Sequence, residues 1–328
     1  MRRGFIVSGF FCLMGLLFVH NAAGEVLFEG YYVIKLNGGR VGYVINRYES
    51  IKEGKIFKAT SFTNMSLPGI NVTESVVTES DENFAPLKLS FIKIDNKKSS
   101  ELIGEVKDGV LKITQKGDFP ELSKNDGLGT LQPPKSGATK PLSMTSSTNV
   151  RQIPLPKGIF FSGILAYVIL KSPQGLRTNE QYKYKTIAEE LGQIVEGEAR
   201  VEKEVLFRNR FKTYLIHNHF QGQTFTSWVT ERGEILKTQD VASGISQELV
   251  PLEKTATKGF VVPKRTLIEL FGEMPRGERN FAFLAHQKGE WLEEEDSLTI
   301  DKNTLPPGMG VHLKKNPKKQ VKQKEDSK

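Results

Sequence analysis

Residues 30–49, GYYVIKLNGGRVGYVINRYE, carry the clearest indication of the fold class. Two runs rich in Tyr, Val and Ile flank Asn37-Gly38-Gly39, and tight hairpin loops favour these turn residues. The segment therefore predicts two antiparallel β-strands joined by a short turn.

Two registers of this hairpin fit the sequence, with the two-residue loop at either 38–39 or 37–38. The second register sets Lys35 opposite Arg40, and like charges directly opposite are unfavourable, so the first is preferred. Gly42 in mid-strand indicates a bend or a close backbone approach. A shift of two residues preserves the pleat, so both registers place the same apolar residues on one face. These residues are Tyr32, Ile34, Leu36, Val41, Tyr43 and Ile45.

The chain beyond the hairpin continues as short segments of alternating apolar and polar residues. Asp108-Gly109 marks a second hairpin turn, and the short connections are typical of an antiparallel meander. We predict a mainly β protein, a strongly curved antiparallel sheet (half-barrel) that encloses one or two helices. The other predicted strands are 55–67, 70–80, 87–91, 102–106, 110–114, 181–189, 197–207, 211–220, 223–230 and 234–239.

Two segments break the strand pattern within the predicted β domain, which covers 25–254. Residues 116–157 are rich in Pro, Gly and Ser and predict a long loop. Residues 159–170, IFFSGILAYVIL, are too few to span a bilayer and predict a buried helix, with a buried strand as the alternative.

Residues 255–311 predict a small C-terminal subdomain. Residues 263–272 have the apolar side of a short helix, and 281–285 resemble a strand. Residues 293–296 are four consecutive acids near Trp291. Carboxylates near an aromatic ring occur in glycan sites, but such a run is more often a solvated surface.

The start of the chain predicts export. Arg2 and Arg3 precede an apolar run and the small residues 22–24, which is the pattern of a signal peptide over 1–24 cleaved near Gly24. A membrane anchor is the alternative, although the run is shorter than the roughly 20 residues that a spanning helix needs. Cys12, the one cysteine, lies in this peptide, so the mature chain is predicted to have no thiol. An exported chain without disulfides fits a periplasmic or secreted bacterial protein.

The formal net charge of +8 is concentrated at the ends of the chain. Residues 312–328 hold seven Lys against two acids and predict a disordered basic tail. The body is near neutral, so no nucleic-acid partner is expected. The tail is either a solvated end or a contact with an anionic envelope surface. The contact residues would be Lys314, Lys315, Lys318 and Lys319.

The sequence contains few patterns typical of catalysis or metal binding. His217 and His219 are two apart on a predicted strand and point the same way, but a metal site needs a third ligand. A Ser-His-Asp triad is recognised by geometry, yet no Gly-x-Ser-x-Gly elbow is present and Phe161-Ser162-Gly163 is too generic to indicate one. We predict no cofactor, no metal site and no catalytic residue.

The apolar face of the curved sheet remains as the place for a ligand such as an acyl chain. The alternative is that the same residues form the core, which any sheet of this kind requires. The predicted ligand-binding residues are Tyr32, Ile34, Leu36, Tyr43, Phe62, Leu89 and Phe91.

Three segments, 31–43, 86–91 and 225–237, resemble a β-rich domain of unknown function in exported bacterial proteins. That domain often precedes a transglutaminase-like domain, and the resemblance covers about 28–252. It implies a curved sheet around helical segments, similar to that of the periplasmic lipoprotein carriers. It implies no catalytic residue, and the transglutaminase-like activity needs a Cys that the mature chain would lack.

Together these observations predict a non-catalytic binding or scaffolding protein of the cell envelope, for a lipid-like ligand. The alternatives from other classes are a hydrolase acting on envelope polymer and an accessory protein that docks another envelope protein.

Overall fold

The computed structural model describes residues 24–96, 98–117 and 148–291, which lie in one compact unit that ends at Glu293. Fifteen strands form a single sheet in the order β8-β7-β6-β5-β4-β3-β2-β1-β15-β14-β13-β12-β11-β10-β9. Neighbouring strands are antiparallel, apart from β9 and β10, which are parallel. The strands are β1 Glu25–Leu36, β2 Gly39–Ile51, β3 Ile56–Leu67, β4 Ile70–Asp81, β5 Pro86–Asp95, β6 Lys98–Lys107, β7 Val110–Lys116, β8 Thr148–Pro154, β9 Phe160–Phe161, β10 Gln181–Ala188, β11 Gln193–Phe207, β12 Phe211–Phe220, β13 Gln223–Val229, β14 Ile235–Asp240 and β15 Ile245–Val250.

The sheet is strongly curved because its two edge strands follow each other in the chain. β8 ends at Pro154 and β9 begins at Phe160. Six residues reach no more than about 20 Å, so the two edges must approach each other. The guanidinium of Arg151 on β8 donates to the carbonyl of Leu191, beyond β10, at 3.2 Å. The described edges share no strand pairing, so the sheet stays open. The predicted curved antiparallel sheet is confirmed.

Four short helices cover the two faces of the sheet, together with the 3₁₀ turn Ser162–Ile164. α1 and α4 pack on the concave face, while α2 and α3 pack on the convex face. None of the helices in the described ranges has the length and apolarity needed to cross a membrane. The helices are α1 Leu165–Lys171, α2 Glu253–Thr257, α3 Lys264–Phe271 and α4 Phe281–Gln287.

The C-terminal helices reach both faces because the chain passes the sheet beside the first residues of β1. β15 pairs with β1 from Tyr31 onward, which leaves the Glu29 backbone without a β15 partner. The Glu29 N–H donates to the carbonyl of Arg279 at 2.9 Å, and the Asn280 amide donates to the Glu29 carbonyl at 2.8 Å. The segment between α3 and α4 thus takes the place of β15 at this point.

A buried ion pair between Glu29 and Arg47 holds the segment between α3 and α4 against β1 and β2. The Arg47 guanidinium contacts the Glu29 carboxylate, with Nε to Oε2 at 2.6 Å, and also donates to the carbonyl of Phe271 at 2.9 Å. The other oxygen of Glu29 accepts the backbone N–H groups of Arg276 and Gly277, each at 2.6 Å. Because both charges are buried, removing one of them leaves the other without its nearest counter-charge in the interior.

The preferred register of the first hairpin is wrong. Leu36 pairs with Gly39, so the loop is Asn37-Gly38, whose φ angles of 48° and 83° are those of a type I′ turn. Lys35 and Arg40 do face each other.

Each of these two like charges has its own partner, which explains why the pairing is tolerated. The Lys35 ammonium lies 3.8 Å from the carboxylate of Glu248. The Arg40 guanidinium donates to the carbonyl of Thr255 at the start of the C-terminal segment. Tertiary contacts that the hairpin alone does not contain therefore decide the register.

A β-bulge follows directly, and it changes which residues share a face. Lys35 pairs with Arg40 but Ile34 pairs with Gly42, so Val41 is an extra residue on β2. A shift of one residue moves every later side chain to the other face. A Cβ on Gly42 would lie 2.3 Å from the carbonyl oxygen of Asn64, which confirms the predicted close backbone approach.

Three local predictions are corrected. Residues 148–154 form edge strand β8 inside the predicted loop, with a proline only at its last position, which an edge tolerates. Residues 281–287 form helix α4, not a strand, because the Asn280 side chain accepts the N–H of Phe283 as an N-cap. Residues 159–170 combine both alternatives, a two-residue strand followed by a helix.

Other predictions are confirmed or lie outside the described residues. The helix predicted at 263–272 is present as α3. The signal peptide, most of the predicted loop, the acidic run 293–296 and the basic tail with Lys314, Lys315, Lys318 and Lys319 lie outside the described ranges. Of the predicted C-terminal subdomain, residues 255–291 are described, and they pack on the sheet as part of the same compact unit.

Candidate functional site

A cavity of about 350 Å³ lies on the concave face, between the sheet and α1. Strands from both halves of the sheet line it, with β2, β3 and β4 on one side and β12, β13 and β14 on the other. Its size is within the range of pockets that hold small molecules. The apolar lining residues are Tyr48, Ala59, Val76, Leu165, Ala166, Ile169, Ile216, Phe225, Val229 and Ile235, and the polar ones are Asn46, Thr60, Ser61, Thr78, Ser162, Glu189, Glu190, Asn218, Ser227 and Thr238, together with Gly163.

The wall formed by α1 is positioned by the short strand that precedes it. Phe160 and Phe161 pair in parallel with Thr186 and Ile187 of β10, and the Thr186 hydroxyl donates to the Phe160 carbonyl at 2.7 Å. Both phenylalanines are buried, and their burial holds this part of the chain at the place where the two edges of the sheet approach each other. The chain then turns at Ser162 and enters α1 across the concavity.

A buried carboxylate, Glu189, lies where α1 meets the sheet. It follows the last residue of β10, and only 6% of the residue is exposed. Its two oxygens accept the Ser162 hydroxyl and, at 2.9 Å, the backbone N–H of Gly163. Burial raises the pKa of Glu189 from its ordinary 4.5 to about 7, although the two hydrogen bonds oppose the shift and Glu190 reinforces it.

Tyr48 on β2 closes the same corner of the cavity. Its hydroxyl donates to the carbonyl of Gly163 at 3.2 Å, and its ring packs edge-on against Tyr167 of α1 with the centroids 5.0 Å apart. Burial, assisted by the negative charge of Glu189, raises the pKa of Tyr48 to about 12. The phenol, which is protonated at neutral pH even at its ordinary pKa of 10.0, acts as a hydrogen-bond donor.

The charges of the cavity have one sign. Glu189 and the exposed Glu190 are its charged residues, and no Lys, Arg or His is among the lining residues in the part of the chain that is described. The opposite wall has hydroxyl groups, with Ser227 and Thr238 hydrogen-bonded to each other at 3.0 Å. The cavity thus combines an apolar body with a carboxylate at one corner.

The Ser162–Glu189 pair is the one arrangement in the cavity with an obvious chemical use. A carboxylate with a raised pKa can accept a proton from a hydroxyl nucleophile. However, an oxyanion intermediate needs a free backbone donor beside the nucleophile, and the neighbouring N–H of Gly163 already donates to Glu189. The same contacts also satisfy the first groups of the 3₁₀ turn, which is a structural role.

The seven predicted ligand-binding residues do not come together. Because of the bulge in β2, those from the first hairpin lie on both faces of the sheet. None of the seven lines the cavity, and all lie in the described ranges. Tyr32 and Ile34 pack with α4, Leu89 and Phe91 pack with β9 and the 3₁₀ turn, Tyr43 and Phe62 lie under α2 and α3 on the convex face, and Leu36 is half-buried beside the turn.

Sequence reasoning missed Glu189 and Ser162. Ser162 was visible only as part of a common tripeptide, and Glu189-Glu190 resembles an ordinary polar strand end. Nothing local distinguishes the buried carboxylate from the exposed one beside it. Ser162 and Glu189 can be identified as a pair only from the structure, because the pairing of β9 with β10 brings them together.

His217 and His219 lie on β12 and have separate partners on the neighbouring strands β11 and β13. Nε2 of His217 lies 3.0 Å from Glu202, and Nδ1 of His219 lies 3.2 Å from the hydroxyl of Thr224. Among the described residues, no three His, Cys, Asp or Glu side chains are grouped to hold a metal ion.

No protein-family model, curated protein or solved structure matches this chain at a significant level.

Proposed function

We propose that this protein is a non-catalytic binding protein of the bacterial cell envelope, which holds a small, mainly apolar ligand in the concave cavity. The observation that carries the proposal is the cavity itself, which is walled by α1 and by both halves of the sheet. Its apolar lining supports burial of a hydrocarbon or ring system, and a few polar groups at one corner would orient the ligand. The ligand class is therefore lipid-like.

The envelope location rests on the signal-peptide pattern of residues 1–24 and on the resemblance to exported β-rich domains. Fractionation of the host cell, with an antibody against the protein, measures the location. Recovery in the cytoplasmic fraction would contradict export.

The binding experiment uses a neutral, polarity-sensitive dye such as Nile red and a variant that fills the cavity. Ala166 on α1 lines the cavity, so Ala166→Phe places a ring inside it. Ala242→Phe adds the same ring at an exposed position outside the cavity. We expect saturable dye binding to the wild type and to Ala242→Phe, and little or none to Ala166→Phe. Absence of saturable binding to the wild type, or equal binding by both variants, would refute the proposal.

A hydrolase acting on envelope polymer is the second candidate, and the hydrogen bond from Ser162 to Glu189 is the observation that favours it. Its test is turnover of peptidoglycan fragments by the wild type that is abolished in Ser162→Ala. We favour binding over hydrolysis because the Gly163 N–H is already used by Glu189.

A further inference from the structure

The charge distribution of the cavity restricts which amphiphile it can hold. A ligand whose polar end enters the cavity must pair that end with the lining side chains, because an unpaired polar group in an apolar pocket is costly. The lining residues include carboxylates but, within the described chain, no basic side chain. An anionic end would therefore meet like charge without a compensating partner.

Glu189 has the capacity to receive a donor from the ligand. An ionised carboxylate has about four acceptor positions. The Ser162 hydroxyl, the Gly163 N–H and the backbone N–H of Glu189 itself occupy three of them, which leaves one, and the residue faces the cavity. Since Tyr48 donates its hydroxyl to the Gly163 carbonyl, it does not compete for the remaining position.

We propose that the cavity selects amphiphiles whose polar end is a cation, such as an alkyl amine, and that Glu189 is the residue that anchors this end. This inference rests on the proposed binding function and specifies its ligand class. Burial favours the pairing, because a charge-assisted hydrogen bond is stronger when water is excluded. Glu190, at the exposed rim, adds negative charge on the path by which a cation enters.

Binding of a cation also resolves the unfavourable burial of Glu189. Within the described ranges, no cationic side chain is among the groups that influence the pKa of Glu189, and Glu190 opposes its ionisation. A bound ammonium group would supply a cationic partner and lower the pKa of Glu189. Proton release from the protein on binding near neutral pH is therefore expected.

The test is isothermal titration calorimetry of the purified full chain with three decyl compounds below their micellar concentrations. Decylamine, decanol and decanoate share one apolar chain and differ in the charge of the polar end. We expect decylamine to bind about 10- to 100-fold more tightly than decanol, the effect of one charged hydrogen bond, and decanoate to bind most weakly. Enthalpies measured in buffers of different ionisation heat report the released proton.

Matched variants identify the anchor. Glu189→Gln keeps the size of the side chain and should reduce decylamine affinity to that of decanol. Glu231→Gln removes a carboxylate at an exposed position outside the cavity and should change the affinity little. The comparison of the three probes on the wild type does not depend on any variant folding. Equal binding of all three compounds, tightest binding of decanoate, or full decylamine affinity in Glu189→Gln would overturn the inference. If none of the compounds binds, the proposed function itself fails.

Discussion

Replacement of Glu189 by Gln should change how the stability of the protein depends on pH. In the folded state the pKa of Glu189 is raised from 4.5 to about 7, chiefly by burial. The folded protein therefore holds this proton more tightly than the unfolded chain does. As the pH rises from 4.5 to about 7, the unfolded state loses the proton first and stability falls.

The magnitude follows from the size of the pKa shift. At about 1.4 kcal/mol per pH unit, the rise of the Glu189 pKa to about 7 corresponds to a loss of roughly 3 kcal/mol. This loss is absent below pH 4.5, where both states are protonated, and complete above pH 7. The amide side chain of the Glu189→Gln variant is neutral throughout. It can still accept the Gly163 N–H, and the Ser162 hydroxyl can rotate to accept from its amide.

Urea unfolding, followed by circular dichroism at pH values from about 4.5 to 8, measures this difference. We expect the free energy of unfolding of Glu189→Gln, minus that of the wild type, to increase by about 3 kcal/mol from pH 4.5 to pH 8. This change does not depend on how much the two proteins differ in stability at low pH. Glu231→Gln, at an exposed residue that does not influence the pKa of Glu189, is the control for the loss of one negative charge. Parallel curves for wild type and Glu189→Gln, or divergence in the opposite direction, would refute the burial argument.

Two further predictions concern the sheet. Gly42→Ala should destabilise the protein by about 1–3 kcal/mol, because the new methyl group would lie too close to the carbonyl of Asn64. Gly39→Ala is the control and should cost less than about 0.5 kcal/mol, because the nearest atom to its new methyl group is 3.5 Å away. Thermal melts of the two variants give the comparison, and equal melting temperatures would contradict it. Glu29→Gln should cost about 3 kcal/mol, the lower end for a broken buried pair, because Arg47 loses its nearest counter-charge but keeps Glu273 at 3.5 Å and Glu49 at 4.0 Å. A second change, Arg47→Met, should recover much of that loss in urea unfolding. Additive losses would show that the pair is not coupled.

The strands of this protein could be predicted from local sequence because alternation and turn chemistry act over a few residues. Asp108-Gly109 has the positive φ angles of a hairpin turn, and β12 has the predicted bounds 211–220. The sequence of α4 also fits a strand, because five apolar residues do not distinguish the two structures. Its N-cap, Asn280, is held by the Glu29 carbonyl, more than 200 residues away.

The faces of the first hairpin show where prediction from local sequence ends. Both registers considered were regular, and a regular pleat places Tyr32 and Tyr43 together. The bulge at Val41 separates them, so that Tyr32 packs with α4 and Tyr43 with α2 and α3. One extra residue in a strand is invisible in an alternation pattern, yet it inverts the residues that follow.

The candidate site could not be predicted from local sequence either, because it too depends on contacts between distant residues. Its carboxylate and its hydroxyl are 27 residues apart and meet only because β9 pairs with β10. Whether a glutamate is buried or exposed depends on the elements that pack over it, as the contrast between Glu189 and Glu190 illustrates.

Strand alternation and turn residues are local properties, and they were enough to predict a mainly β chain whose strands form an antiparallel meander. The face that each aromatic residue occupies, the position of the cavity and the identity of its buried carboxylate came from the folded molecule. These features depend on a bulge, on the meeting of the sheet edges and on burial, all of which arise from contacts between residues distant in the chain.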